Sequence, residues 1–280
     1  MDVIQTINEV KSLVKKARSD GKTIGFVPTM GALHEGHLSL IRAANEKCDF
    51  VVVSIFVNPT QFGPSEDLDK YPRPIEKDIE LCEKNNVDLV FNPTVEQMYK
   101  QQNLTWVNVE KITECLCGSS RPNHFRGVTT VCAKLFNIVK PDFAFFGQKD
   151  AQQAVVIKRM VCDLNMDLEI VVCPIVRAAD GIALSSRNAY LTPEQRKDAA
   201  LLYKSLQNCR QLIEKGEKNS QTITDQIRTT LSESPLIKVE YISIVDFHSL
   251  EDIGRVSAGT LIAVAIRIAN TRLIDNILVD

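Results

Sequence analysis

Two kinds of hydrophobic spacing alternate along the first two thirds of the chain. Ile4, Ile7, Val10, Leu13, Val14 and Ala17 recur at helical intervals through residues 3–19, and Asp20-Gly21 closes the run. The short apolar stretch 23–27 predicts a buried strand, and residues 35–47 a helix. Phe50-Val51-Val52-Val53-Ser54-Ile55-Phe56 is almost continuously apolar, as a strand covered on both faces should be. The alternation continues with a helix at 74–86, a strand at 88–91, a helix at 127–139 and a strand at 142–146. A helix at 150–164 and a strand at 168–173 complete it. Repeated βα units of this kind predict a parallel sheet in a Rossmann-like α/β domain. After about residue 175 the order changes. Helices at 193–214 and 220–232 flank the polar stretch 215–219, and strands follow at 237–246, 260–268 and 276–279. Helices followed by strands predict a smaller α+β unit, so we divide the chain into domains 1–175 and 176–280.

Composition narrows the function classes. Hydrophobic residues make up 44% and charged residues 24% of the 280, and the net charge is −2. That balance gives no general attraction to nucleic acid or to an anionic membrane. No apolar run approaches the roughly 20 residues that span a bilayer. The first residues lack the basic and apolar regions of a secretion signal, so a cytoplasmic location is expected. The eight cysteines are scattered without zinc spacing and read as free thiols.

Candidate chemistry sits in the loops that follow the strands, where ligands of parallel sheets bind. The most informative loop is Pro28-Thr29-Met30-Gly31-Ala32-Leu33-His34-Glu35-Gly36-His37. It places two histidines, three residues apart, where a strand runs into a helix. A helix N-terminus offers free N–H groups and a positive dipole end, which suit a polyphosphate. The spacing is wrong for a zinc-binding H-E-x-x-H. Lys149 and Asp150 follow strand 142–146; the lysine is a point charge for phosphate and the aspartate a candidate helix cap. Ser185-Ser186-Arg187 adds two hydroxyls and a forked guanidinium in a glycine-containing loop, suited to the outer phosphates and to a mobile lid.

These residues lie in a larger set of motifs. The set comprises residues 28–37, Phe56-Val57-Asn58-Pro59-Thr60-Gln61-Phe62, and Asp67-Leu68-Asp69-Lys70-Tyr71-Pro72-Arg73. It continues with His124-Phe125-Arg126-Gly127-Val128, Phe146-Gly147-Gln148-Lys149-Asp150 with Gln152-Gln153, and Asp180 through Asn188. The first resembles the His-x-Gly-His signature of the nucleotidyltransferase superfamily. The whole series, in this order, resembles the pantoate–β-alanine ligase family. The resemblance implies ATP-dependent activation of pantoate as an acyl adenylate, transfer of the pantoyl group to β-alanine, and release of AMP and pyrophosphate. It assigns ATP to residues Met30 to His37 (Met30, Gly31, Ala32, Leu33, His34, Glu35, Gly36, His37), to Gly147, Gln148, Lys149 and Asp150, and to Val176, Leu184, Ser185, Ser186 and Arg187. His37 is the expected proton donor, with His34, Lys149 and Arg187 as further catalytic groups. Gln61 and Gln153 are expected on pantoate, with Asn58 and Tyr71 in the same pocket. Asp78 matches a family Mg²⁺ ligand by spacing, while Lys77 stands where some members carry a second acid. The resemblance also implies a homodimer. A plain nucleotidyltransferase and a non-catalytic nucleotide-binding regulator are the alternatives; the neutral amides of Gln61 and Gln153 argue against a phosphate acceptor.

Overall fold

The computed structural model describes residues 1–64, 66–100 and 102–280. In chain order its elements are β1 (Asp2–Ile4), α1 (Ile7–Ser19), β2 (Ile24–Thr29), α2 (Glu35–Lys47), β3 (Phe50–Ile55), α3 (Ile75–Lys84), β4 (Leu89–Phe91) and α4 (Val95–Met98). Then come α5 (Cys117–Ser120), α6 (His124–Val139), β5 (Phe143–Gly147), α7 (Ala151–Asp163) and β6 (Glu169–Cys173). The second part holds α8 (Pro193–Glu214), α9 (Ser220–Leu231), β7 (Ile237–Asp246), β8 (Thr260–Ile268) and β9 (Thr271–Leu278).

Strands β1 to β6 form one parallel sheet in the order β1-β4-β3-β2-β5-β6. Its alternating side chains feed two apolar layers. Ile24, Phe26, Val52 and Phe91 point into a core with α1, α6 and α7, while Val27, Val53, Val90 and Phe145 face α2 and α3. Burial on both faces explains why β2 and β3 read as unbroken apolar runs. The chain leaves β2 toward β3 and β4, then returns to β5 on the opposite side of β2. That reversal opens a crevice beyond the carboxyl ends of β2 and β5, the place where such sheets bind ligands.

Strands β7, β8 and β9 form an antiparallel sheet packed by α8 and α9. A small cluster of Leu116, Ala151 and Val155 against Val245, Leu250, Leu261 and Ala263 joins the two sheets' layers. Among the described residues no helix is long and apolar enough to cross a membrane.

Two elements differ from the expectation. The start of the expected helix 3–19 is the edge strand Asp2–Ile4, paired with β4, and the helix begins only after Thr6, whose hydroxyl caps it. A three-residue strand is too short for its period to compete with the helical one beside it. The last strand starts at Thr271, not 276. Arg272 and Asp275 interrupt its apolar pattern, and both are partnered side chains at the site described next.

Candidate active site

The crevice continues into two adjoining cavities. The inner one, about 240 Å³, is lined by the β2–α2 loop, Gln61, Tyr71, the start of α7 and residues 184–187. The outer one, about 950 Å³, lies between the parallel-sheet layers and β9. They share Arg121, His124, Lys149, Asp150, Gln153, Ser185 and Arg187.

The histidine wall is built within one short segment. His34 is the N-cap of α2: its Nδ1 accepts the Gly36 N–H at 3.1 Å, and its own N–H donates to Nδ1 of His37 at 3.3 Å. The ring centroids lie 4.1 Å apart. Burial, reinforced by the Lys149 charge, pushes His34 down to about 4; burial and the neighbouring His34 push His37 down to about 3. Both rings are therefore neutral at pH 7. With each Nδ1 accepting a hydrogen bond, the single proton of each ring sits on Nε2. Gly36 is required here, because a Cβ would stand 2.9 Å from the His34 ring.

Asp78 supports this loop from beneath. Its two oxygens accept the N–H groups of Ala32 at 2.8 Å and Leu33 at 2.7 Å, and the residue is 1% exposed. It lines neither cavity. The structure thus places Asp78, the expected Mg²⁺ ligand, as an anchor of this loop, with its oxygens accepting from backbone amides. Gly31 lies against Asp78 rather than the cleft. Of the expected ATP loop, Met30, His34, Gly36 and His37 line the inner cavity. Gly31, Ala32, Leu33 and Glu35 do not; Leu33 is buried and Glu35 pairs with Arg42 on the surface.

The amide wall comes from two elements. Gln61 ends a tight turn and is buried, its Oε1 accepting from Asn58. Gln153 reaches both cavities from α7. Asn58, expected in the same pocket, stands behind Gln61. It is wholly buried, lines neither cavity, and directs its amide to Gly127 O, Thr60, Gln61 and the Tyr99 hydroxyl. Tyr71 does line the inner cavity, edge-on to Phe62, with its hydroxyl against Ser186.

The far wall is assembled from distant segments. Lys149 Nζ lies 3.6 Å from Asp150, whose side chain is 51% exposed. Partial desolvation within the cleft opposes ionisation of Asp150, yet Lys149 and Arg187 hold its carboxyl below the usual value. Gly147, Val176, Leu184, Ser185, Ser186 and Arg187 line the inner cavity; Gln148 does not, since it turns toward Asn276. Arg187 forks onto Asp67, Nε to Oδ2 at 3.2 Å and a terminal N–H to Oδ1 at 2.9 Å.

Several residues here carried no sequence signal. Asn276 on β9 donates to the carbonyls of Gln148 and Lys149, both at 3.0 Å, and so fixes the turn that presents Lys149. Arg177 binds Asp275 through two bonds, at 2.5 and 2.9 Å, and stacks 4.0 Å from the Tyr203 ring. Glu66 and Arg121 form a chain with His124, a residue of the quoted motifs, that ends on the Gln61 carbonyl. Burial and then Arg121 lower His124 to about 4. Of the motif residues left without a role, Arg73 pins the carbonyls of Leu68 and Tyr71, and Arg126 stacks on Trp106.

Comparison with known proteins decides the family. The pantoate-beta-alanine ligase family model matches residues 2–278. The chain belongs to the pantoate–β-alanine ligase family. A pantothenate synthetase of Thermoanaerobacter sp. is 56% identical over 278 residues, covering 99% of this chain and 98% of that one. One from Pelotomaculum thermopropionicum is 54% identical over 276 residues, with 99% and 98% covered. The crystal structure of the Thermus thermophilus pantothenate synthetase superposes with a TM-score of 0.95 at 43% identity, covering 99% of both chains. A Francisella tularensis pantoate-beta-alanine ligase, crystallised with beta-gamma ATP and β-alanine, gives 0.81 at 36% identity, covering 99% of this chain and 97% of that one.

Proposed function

We propose that the inner cavity joins pantoate to β-alanine through a pantoyl adenylate. The chain is an ATP-dependent pantoate–β-alanine ligase of pantothenate biosynthesis, as its family membership establishes; the route and the residue roles are our reading. In the first step a pantoate carboxylate oxygen bonds to the α-phosphorus of ATP, and the bond from that phosphorus to the bridging oxygen breaks, releasing pyrophosphate. In the second, the neutral amine of β-alanine bonds to the acyl carbon. The bond to AMP breaks, and the nitrogen loses a proton.

One observation carries this reading. Two neutral imidazoles, each with its Nδ1 occupied, share one cavity with Lys149 and with the amides of Gln61 and Gln153. Their Nε2–H groups are fixed donors for the charge that develops on the phosphoryl oxygens, the kind of contact that strengthens in the transition state. Lys149, Ser185, Ser186 and Arg187 hold the outer phosphates, and the adenine side lies along Gly147 and Val176. Gln61 and Gln153 bind pantoate without trapping it as an ion pair, and Tyr71 walls the pocket. The neutral state of His37 in the free chain makes it a hydrogen-bond donor first. It becomes a proton donor only where bound polyphosphate raises its pKa.

Magnesium fits the donor set through one carboxylate. Among the described residues no three His, Cys, Asp or Glu side chains converge on one point, and Mg²⁺ on a nucleotide takes one or two carboxylates with phosphate and water. Asp150, half exposed beside Lys149, is the carboxylate that would hold it. The ion would supply charge neutralisation of the triphosphate. We further infer a cytoplasmic homodimer in which residues 176–280 cover the site.

The test is release of pyrophosphate and AMP from purified protein with Mg-ATP, adding pantoate first and β-alanine second. Pantoate-dependent pyrophosphate followed by amine-dependent AMP is expected. Pyrophosphate that appears only when both acids are present would remove the free adenylate.

A further inference from the structure

One phosphate-binding edge of Arg187 is already occupied. Its Nε and one terminal nitrogen bind the two oxygens of Asp67, leaving the edge between the two terminal nitrogens as the other place where a guanidinium can grip two oxygens. A phosphate on the Nε edge has to displace Asp67, and one on the remaining edge stands close enough to be repelled by its carboxylate. Burial opposes ionisation of Asp67, but the hydrogen bonds and charge of Arg187 keep its carboxyl below the usual value, so the pair is charged at neutral pH. About 30% of each side chain stays in water, and a screened pair of that kind is weak enough for a multiply charged phosphate to replace.

Asp67 belongs to a segment held at several points. Glu66 bonds Arg121 at 2.6 Å, Arg73 holds the carbonyls of Leu68 and Tyr71, and the Tyr190 hydroxyl reaches Lys70 O at 3.5 Å. Asp67 and Tyr71 thus tie this segment to residues 186–190 of the far wall; Asp67, Lys70 and Tyr190 line the outer cavity, and Tyr71, Ser186 and Arg187 the inner one. On the reading that Arg187 receives the outer phosphates of ATP, we propose that Asp67 is their resting-state stand-in: the triphosphate displaces it from Arg187, and nucleotide entry releases residues 67–70 from the far wall. Asp67 is a positioning residue. It keeps a guanidinium folded over an empty site, and its departure couples nucleotide binding to the segment above the pantoate pocket.

Titration calorimetry with α,β-methylene ATP and Mg²⁺ tests this, because the predicted sign is opposite to that of a merely supporting residue. Removing a competitor raises the competent fraction, so Asp67→Asn should lower Kd by about 3- to 10-fold. Asp67→Glu should bind like the parent. An unchanged or higher Kd in Asp67→Asn overturns the exchange. Arg187→Gln should lose affinity, and Asp67→Asn should add nothing in that background. If Arg187→Gln binds like the parent, the phosphate role of Arg187 fails. If it weakens binding while Asp67→Asn does not tighten it, the exchange alone fails. Hydrogen exchange gives a second readout: the nucleotide should speed exchange at amides 67–70 while slowing it at 185–188. Slowing at both segments overturns the proposal.

Discussion

The two walls of the cleft are built in opposite ways. The histidine wall is local: His34, Gly36 and His37 arrange one another within four residues, with Asp78 as a distant support. The far wall is long-range. Lys149 is set by Asn276, the Val176–Leu184 hairpin by Asp275, and Arg187 by Asp67. A local wall keeps its geometry through small shifts between the two sheets; a long-range wall changes with them. The contrast suits a site with fixed donors at the reacting phosphorus and a movable grip on the outer phosphates.

The contrast can be broken from either side. Asp275→Ala should have the largest effect, because it leaves the Arg177 guanidinium without its buried partner; a loss of about 3–5 kcal/mol in urea unfolding is expected. A loss under about 1 kcal/mol would show that Arg177 finds another partner. His37→Ala should lower kcat by roughly 10²–10³ with little change in ATP affinity. A raised KM for ATP with an intact kcat would move His37 to ground-state binding. Asn276→Ala removes two hydrogen bonds to the Lys149 turn and should cost about 1–3 kcal/mol, seen as weaker ATP binding. Unaltered nucleotide affinity would uncouple β9 from the far wall.

The last test is of pH dependence. His34, His37 and His124 have folded pKa values depressed to about 4, 3 and 4 from an unfolded 6.5. Below pH 6.5 the unfolded chain binds more protons than the folded one. Stability is therefore complete above that pH and is lost as the pH falls toward 4. The urea midpoint should be lower at pH 5 than at pH 7, and His124→Gln should reduce the difference. A flat profile would mean that these rings are not buried neutral.

What was legible in the sequence follows the same division. The strand–loop–helix around His34 and His37 stands in contiguous residues, so its period and its polar signals lie side by side. The parallel sheet was legible for a similar reason, since burial on both faces leaves an apolar run. Asn58 and Asp78 are ambiguous in the sequence because a polar residue in a motif looks the same whether it faces a ligand or a backbone amide. Only the third dimension shows that Asp78 meets Ala32 and Leu33. Asp275, Asn276 and Arg177 were illegible for another reason: their partners stand up to 128 positions away. Arg272 and Asp275 concealed the first half of β9.

The hairpin of residues 176–184 has one further consequence. It is closed by the Leu184 N–H to Val176 O bond at 3.0 Å and by the bridge between Arg177 and Ala183, and Arg177 fastens it to Asp275 on β9. In mechanical terms it is the clamped root of a short span that carries Ser185, Ser186 and Arg187 before the chain reaches α8. Bending is then confined to the few residues beyond Leu184, and the stiffness of the root is set in β9. A substitution in that strand can thus change how quickly nucleotide is captured and released without ever touching it.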